Sequence, residues 1–432
     1  MSPSTSTWKV GRVDSVAEYV TVGFVGSQAA HHVDSGIPLL RGQNVRPYRI
    51  DMSNLKYIND VTHEKWSKSA LSAGDVVIVR VGYPGTAAVI PEGLGDLNAA
   101  SLVIVRPDQT RLSADYFVSV LNSPWGKAMV ESRFVGSAQQ VLNAGAVAAL
   151  EIPLPDIQVQ RQIASILHAY DELIDNNSRR IEILEEMAQA IYREWFVEFR
   201  YPGHEEVPLV DSELCPIPEG WTVRRLGECV AAEKGLSYKG EFLTDEGTPM
   251  ANLKCFDRTG GFRRSGSKPY SGPFKVQHSI VPGDLIVANT DLTQAGTVIG
   301  SPALVPHRGF EEGGLISHHL FAVRFSASSV DKHYLYRALQ NERFRSYARG
   351  CASGTTVLGF RASDFLSFPL VVPGLEVQAA FSSIVSDLYS LSERLSELSE
   401  NLSETRDLLL PRLISGEIDV SGLDIESADS SV

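Results

Sequence analysis

The sequence is poor in cysteine, in long apolar runs and in net positive charge, and each shortage closes off a class of function. Four cysteines occur among 432 residues: Cys215, Cys229, Cys255 and Cys351. None forms a Cys-x-x-Cys pair, so neither a disulfide framework nor a zinc site is indicated, and they read as reduced thiols. No stretch approaches the roughly 18 apolar residues that span a bilayer. Residues Met1 to Val10 carry no apolar signal core, so the expectation is a cytoplasmic protein with no membrane partner. A Walker-type phosphate loop, an Asn-Pro-Pro-aromatic motif and an Asp…Glu-x-Lys nuclease pattern are also missing, which argues against catalysis by this chain.

Net charge is −13, whereas phosphate binding favours a basic surface. The acid is unevenly placed. Residues 1–155 carry 13 basic and 13 acidic side chains, and residues 201–373 carry 18 of each. The excess lies in residues 156–200, with 5 basic against 9 acidic, and in residues 374–432, with 3 against 12. The two large neutral segments therefore leave room for local basic faces.

What the chain does have is an internal repeat. Trp8, Val10 and Arg12 recur as Trp221, Val223 and Arg225; Gly36 and Pro38 recur as Gly247 and Pro249. Gly74-Asp75 with the apolar run Val76–Val79 recurs as Gly283-Asp284 with Leu285–Ala288. Arg106, Tyr116, Pro153 and Gln160 recur as Arg324, Tyr334, Pro369 and Gln378. The offset drifts by a few residues, as loop insertions require, and the ordered series identifies a tandem duplication.

Each copy opens with short β-branched runs bounded by Gly, Pro, Asn and Asp, which predict strands and turns. Short helices are predicted over Tyr116–Ser132 and Tyr334–Arg349, and each copy ends in a long helix after a proline pair, Pro153/Pro155 and Pro369/Pro373. In the second long helix Leu388, Leu391, Leu395, Leu398, Leu402, Thr405 and Leu409 alternate steps of three and four, the seam of a coiled coil. Ile163, Ile166, Tyr170, Leu173, Asn177, Ile181, Leu184, Ala188, Ile191 and Trp195 repeat the rhythm in the first, with Asn177 a polar register-setting position. Each helix spans about 40 residues, roughly 60 Å. The predicted fold is α+β: two β-rich domains (1–155 and 201–373), two helical spacers (156–200 and 374–414) pairing as an antiparallel coiled coil, and an unstructured acidic tail (415–432).

The segment Ile152-Pro153-Leu154-Pro155, with Gln160, Ile163-Ala164, Leu167 and Asp171, resembles the entry into a helical spacer of type I restriction–modification specificity subunits. The resemblance covers nearly the whole chain. In the second copy Phe381 stands for the isoleucine and no Asp follows at the matching place. The resemblance implies two target-recognition domains on double-stranded DNA, reading a bipartite asymmetric site with half-sites about one helical turn, near 34 Å, apart. It implies as partners two methyltransferase subunits, which bind S-adenosylmethionine and dock on the spacers, and a motor-nuclease subunit, which uses ATP and magnesium. No cofactor or metal is expected on this chain.

Arg, Lys, Asn and Gln can present paired donors and acceptors to base edges, and other polar groups fix the phosphates. Candidates in the first domain are Arg41, Gln43, Asn44 and Arg46 in one loop, then Arg80, Tyr83, Gln139, Gln140 and Asn143. In the second domain they are Asn252, Lys254, Arg258, Arg263 and Arg264, then Asn289, Thr290, Thr355 and Thr356. Each has a plain alternative as a solvated surface group. Two other classes stay open: an enzyme using Cys351 with His318 and His319, and a coiled-coil scaffold that binds no DNA. Within the family, a subunit guiding a methyltransferase alone is equally compatible.

Overall fold

The computed structural model describes residues 8–134, 141–256, 261–326 and 330–423. Two compact units divide the chain, Met1–Asn176 with Leu398–Val432, and Asn177–Glu397. Each long helix is thus shared between them.

In the first unit the strands that frame the core are β1 (Val10–Arg12), β2 (Ala17–Val22), β3 (Ile37–Leu40), β4 (Lys56–Ile58), β5 (Ala70–Leu71), β6 (Val76–Val79), β7 (Ala87–Val89), β8 (Leu97–Ala99), β9 (Leu102–Pro107) and β10 (Glu151–Pro153). They form sheets ordered β2-β9-β6-β7, β4-β3-β8-β5 and β1-β10. The second unit repeats this with β11 (Thr222–Arg225), β12 (Val230–Lys234), β13 (Leu243–Ala251), β14 (Lys268–Tyr270), β15 (Ser279–Ile280), β16 (Leu285–Ala288), β17 (Pro302–Leu304), β18 (Gly314–Ile316), β19 (Leu320–Phe325) and β20 (Pro369–Val372). Its sheets run β12-β19-β16-β17, β14-β13-β18-β15 and β11-β20, strand for strand the same order. Even the parallel pairs match, Leu39 beside Asn98 and Met250 beside Leu315.

The repeated residues prove to be the ones that set this topology. Gly36 (φ 147°) and Gly247 (φ 150°) lead into β3 and the second half of β13. A Cβ would sit 2.5 Å from the Ile58 carbonyl oxygen in one and 2.6 Å from that of Tyr270 in the other, so only glycine fits. Arg106 donates to both oxygens of Asp75 at 2.7 Å, and Arg324 donates to Asp284 at 2.9 Å, tying the edge of each β6 or β16 turn to the neighbouring strand.

Gln160 and Gln378 are 0% and 1% exposed. The Gln160 oxygen accepts from the Ser113 amide at 2.9 Å, and its nitrogen donates to the Arg111 and Pro155 carbonyls, also at 2.9 Å. Gln378 accepts from the Asp331 amide at 2.7 Å and donates to Pro373 at 2.7 Å. Ser113 and Asp331 are in turn the N-caps of two domain helices, α1 (Ala114–Asn122) and α4 (Lys332–Gln340). The Tyr116 hydroxyl donates to the Pro153 carbonyl and that of Tyr334 to Val371, closing the same junction.

Each predicted short helix is in fact two. Ser123 caps α2 (Pro124–Glu131), accepting from Gly126 at 2.8 Å with Pro124 at the first helical position. Asn341 caps α5 (Glu342–Cys351) by accepting from Arg343 at 2.9 Å. A side-chain oxygen that satisfies the start of a new helix breaks the one before it, and periodicity does not register such a break.

The long helices are α3 (Ile157–Phe196) and α6 (Leu375–Ser415). In the first unit Ile163, Ala164 and Leu167 of α3 share a core with Leu410, Leu413 and Ile414 of α6, and Asp171 pairs with Arg406. In the second unit Ala188, Tyr192 and Phe196 pack with Phe381 and Val385, the Phe196 and Phe381 rings 5.0 Å apart. In both units an early stretch of one helix meets a late stretch of the other, so they run antiparallel. The seam differs in part from the leucine reading. Leu388, Leu402 and Leu409 are partly covered and Leu395 is buried, but Leu391, Leu398 and Thr405 are exposed, and their heptad places fall to Ser392, Ser399 and Arg406. On α3, Leu173 is 53% exposed while Asn177 is buried. Phe381 and Val385, held in the domain core, fix the register, and the remaining leucines fall where that register puts them.

The tail expected to be unstructured from residue 415 is ordered over its first turns. Ser415 closes α6, Val420 is 1% exposed within the first unit's core, and Gln162 donates to the Leu423 carbonyl at 3.0 Å. Two apolar residues, Ile418 and Val420, supply the burial that an acidic composition conceals.

Replacing Gln160 by Leu leaves the buried Ser113 amide and two carbonyls without partners, at about 1–3 kcal/mol each. Gln160→Leu should lower the denaturation midpoint more than Gln378→Leu, which breaks two bonds; urea titration followed by tryptophan fluorescence measures both.

Candidate nucleic-acid interface

In each unit the polar candidates gather at the C-terminal end of the buried central strand, β6 or β16. Four apolar residues, Val76–Val79 and Leu285–Ala288, are buried along these strands, so the chain must leave the core at their ends, where loops can carry polar groups.

In the first unit the exit is Arg80, followed by a tip with Gly82, Tyr83 and Gly85; Tyr83 is 84% exposed. Arg80 accepts the Leu142 amide on its carbonyl at 3.0 Å, and its Nε donates to the Leu142 carbonyl at 2.8 Å. Asn143 follows directly, capping Ala144–Ala148 through the Ala146 amide at 2.8 Å. Arg80, Tyr83 and Asn143 are thereby brought together; Gln139 and Gln140 lie outside the described residues. The Arg41–Arg46 loop adjoins this exit, since Val45 packs with Val79.

Within that loop the residues divide. Asn44 is 1% exposed: its amide nitrogen donates to the Asp51 and Ser53 carbonyls at 3.0 Å, and its oxygen accepts from the Arg41 backbone. Its carboxamide is fully used in shaping the loop. Gln43 is exposed, Arg46 faces Asp51 at 3.3 Å, and Arg41 donates to the Asn54 carbonyl at 3.0 Å. Arg49, absent from the candidates, pairs with Asp175 of α3 at 3.1 Å.

In the second unit Asn252 plays the part of Asn44, 6% exposed, donating to the Gly266 carbonyl at 2.7 Å and accepting from Lys254 at 2.9 Å. Lys254 and Arg263 are exposed, and Arg263 holds the Lys254 carbonyl at 2.9 and 3.1 Å; Arg264 is half-buried beside them. Arg258 lies outside the described residues. At the strand exit Asn289 is buried, its carbonyl accepting the Phe360 amide at 2.8 Å, the counterpart of the Arg80–Leu142 bond. Thr290 shares a 2.8 Å hydrogen bond with His319. Gln294 donates to the Thr355 carbonyl at 2.9 Å, which brings the exposed Thr355 and Thr356 beside the strand-exit loop.

Several polar groups here escaped sequence reading. Lys234, Gln294, Arg349 and Arg361 border this region, and only the topology, which joins β12, the β16 exit and the turn before Ala362–Leu366, could have gathered them. Among the described residues no hydrogen bond joins Cys351 to His318 or His319. Cys351 lies against Tyr347, whose hydroxyl burial and that thiol push up to about 12, while the His318 and His319 rings lie 3.9 Å apart, tilted at 38°, with burial lowering the His319 pKa. Burial also raises the Cys255 thiol to about 11. Among the described residues no three metal-ligating side chains cluster, and no helix is long and apolar enough to cross a membrane.

Asn44→Ala should cost about 2 kcal/mol or more, through lost bonds inside the loop, whereas Gln43→Ala and Tyr83→Ala should change stability by no more than about 0.5 kcal/mol. Denaturant titration of the three variants separates residues that build the surface from residues that only line it.

Comparison with known proteins follows the same outline. Residues 6–186 match the family described as Type I restriction modification DNA specificity domain. The type I restriction enzyme MjaIX specificity subunit of Methanocaldococcus jannaschii is 26% identical over 296 residues, covering 67% of this chain and 65% of that protein. The type I restriction enzyme HindI specificity subunit of Haemophilus influenzae is 22% identical over 408 residues, covering 82% of this chain and 88% of that one. A crystal structure of the type I restriction–modification system S subunit from M. genitalium superposes with a TM-score of 0.57 at 14% identity, covering 95% of this chain and 96% of the other, and shares the fold. With its duplicated sheets and long helices, the chain is similar to type I restriction–modification specificity subunits, in sequence to the family's domain over residues 6–186 and in fold over nearly its whole length.

Proposed function

We propose that this chain reads DNA sequence and catalyses nothing itself, directing partner methyltransferase subunits, and a motor-nuclease where one is present, to a bipartite site. S-adenosylmethionine, ATP and magnesium belong, on this reading, to those partners. The observation that carries it is the pairing of one repeated scaffold with two different sets of loop residues. Where the first unit offers Arg80, Tyr83 and Asn143, the second offers Thr290, Gln294, Thr355 and Thr356 beside the matching strand exit. Identical architecture with different base-edge chemistry suits two unlike half-sites. A scaffold that only joined proteins would need neither the duplication nor the divergence.

The unread spacer between half-sites follows from the helices in this proposal. A rigid α-helix changes length by 1.5 Å per residue, so removing one heptad from both α3 and α6 shortens it by about 10 Å, close to three base pairs. Mapping of methylated adenines in DNA treated with the assembled complex should return the same two half-sites with a shorter gap. An unchanged gap overturns the ruler. A salt-dependent mobility shift, run with and without the methyltransferase, tests the reader itself: no retardation in either lane at low salt leaves the scaffold reading in place.

A further inference from the structure

The second unit holds a cleft of about 370 Å³ beside the strand exit, lined by Lys234, Asn289, Thr290, Ser353, Phe360 and Arg361 among others. Two of these residues are cations, and no acidic side chain lines the space. Lys234 and Arg361 are both exposed, and neither has a carboxylate within ion-pair distance among the described residues. This contrasts with the nearby arginines: Arg324 is held by Glu233 and Asp284, and Arg349 by Glu342. Their charge is therefore open to a ligand. Thr290 and Ser353 add hydroxyls on the wall.

The floor decides what kind of ligand fits. Phe321 and Phe360 line it but are only 2% and 3% exposed, so their ring faces are covered and offer no platform on which a base could stack. The cleft thus recognises negative charge and hydrogen-bond acceptors rather than a planar ring.

Among the described residues the first unit carries different groups at the matching positions. Strand pairing sets Lys234 opposite Phe321 and Val22 opposite Val103, so Val22 occupies the place of Lys234. Asn143 caps the short helix where Arg361 stands in the second unit. One neutral and one apolar residue replace two cations.

We infer that Lys234 and Arg361 clamp a phosphodiester of the DNA backbone in this cleft, anchoring the second unit so that the adjoining loop, with Gln294, Thr355 and Thr356, meets the base edges. The inference rests on the reading of the chain as a DNA reader. It assigns these two cations to positioning, which strengthens binding to any sequence alike, and leaves discrimination to the loop.

The test is equilibrium binding of full-length protein to a duplex bearing the mapped site and to a random duplex, each over a series of salt concentrations. The double variant Lys234→Ala/Arg361→Ala should weaken both by the same factor and make the slope of log K against log salt shallower by about one to two. Lys234→Arg/Arg361→Lys, which keeps the charges, should retain the wild-type slope, and equal thermal midpoints for all three proteins exclude misfolding. Wild-type binding with an unaltered slope in the double variant overturns the clamp while leaving the reader intact. Loss of discrimination without loss of slope assigns the residues to base reading and overturns the clamp as well. Saturable binding of a fluorescent mononucleotide to wild type, abolished in the double variant, makes the cleft a free-nucleotide site and overturns it too. Failure of wild type to bind any duplex, with or without the methyltransferase, sinks the DNA-reading proposal itself.

Discussion

A single buried glutamine at the root of each long helix governs how the helix leaves its domain. Gln160 and Gln378 each link the helix's first turn, the proline segment before it and the cap of a domain helix, α1 or α4. A carboxamide is suited to this because it donates and accepts at once. Buried to 0% and 1% exposure, it has no water to replace a lost partner. Angular freedom at this joint would be amplified along a helix of about 60 Å, so a polar bond with narrow geometry serves better than apolar packing alone.

That joint also explains why the coiled coil tolerates a weak middle. Steps of Leu388, Ser392, Leu395, Ser399 and Leu402 bury less apolar surface than unbroken leucine would. The buried Asn177 and the Asp171–Arg406 pair are costly to desolvate, and burial pushes the Asp171 carboxyl upward in spite of its guanidinium partner. Apolar packing is concentrated instead at the helix ends, where Ile163 and Leu167 or Phe381 and Val385 enter the domain cores. Polar groups along the seam then act mainly to select one register.

Residues whose role is topological were legible in the sequence, because the same backbone problem had to be solved twice. Gly36, Asp75, Arg106, Tyr116 and Gln160 each reappear in the second unit with corresponding partners. Legibility failed where identity and environment part company. Leu391 and Leu398 look like seam residues yet face solvent, since no chain periodicity states where the domain core pins the helix. Asn44 and Asn252 have a chemistry suited to adenine, but backbone groups of their own loops take the side chains inward, Asp51 and Ser53 for Asn44 and Gly266 for Asn252. Lys234 and Arg361 stand 127 positions apart in the sequence and become neighbours only through the strand order.

The loops can diverge because the bond that shapes the strand exit belongs to the backbone. The Leu142 amide reaches the Arg80 carbonyl at 3.0 Å, and the Phe360 amide reaches the Asn289 carbonyl at 2.8 Å. No side chain takes part in that bond, so Arg, Asn or another residue can occupy the position while the loop keeps its path. Neighbouring positions at the same exit vary as freely, Val22 against Lys234 and Asn143 against Arg361. The interior offers no such latitude: a change at Gln160 or Arg106 leaves buried partners unmet. Backbone-defined geometry at the rim and side-chain-defined geometry at the joints thus divide the fold into a part that can take a new specificity and a part that cannot.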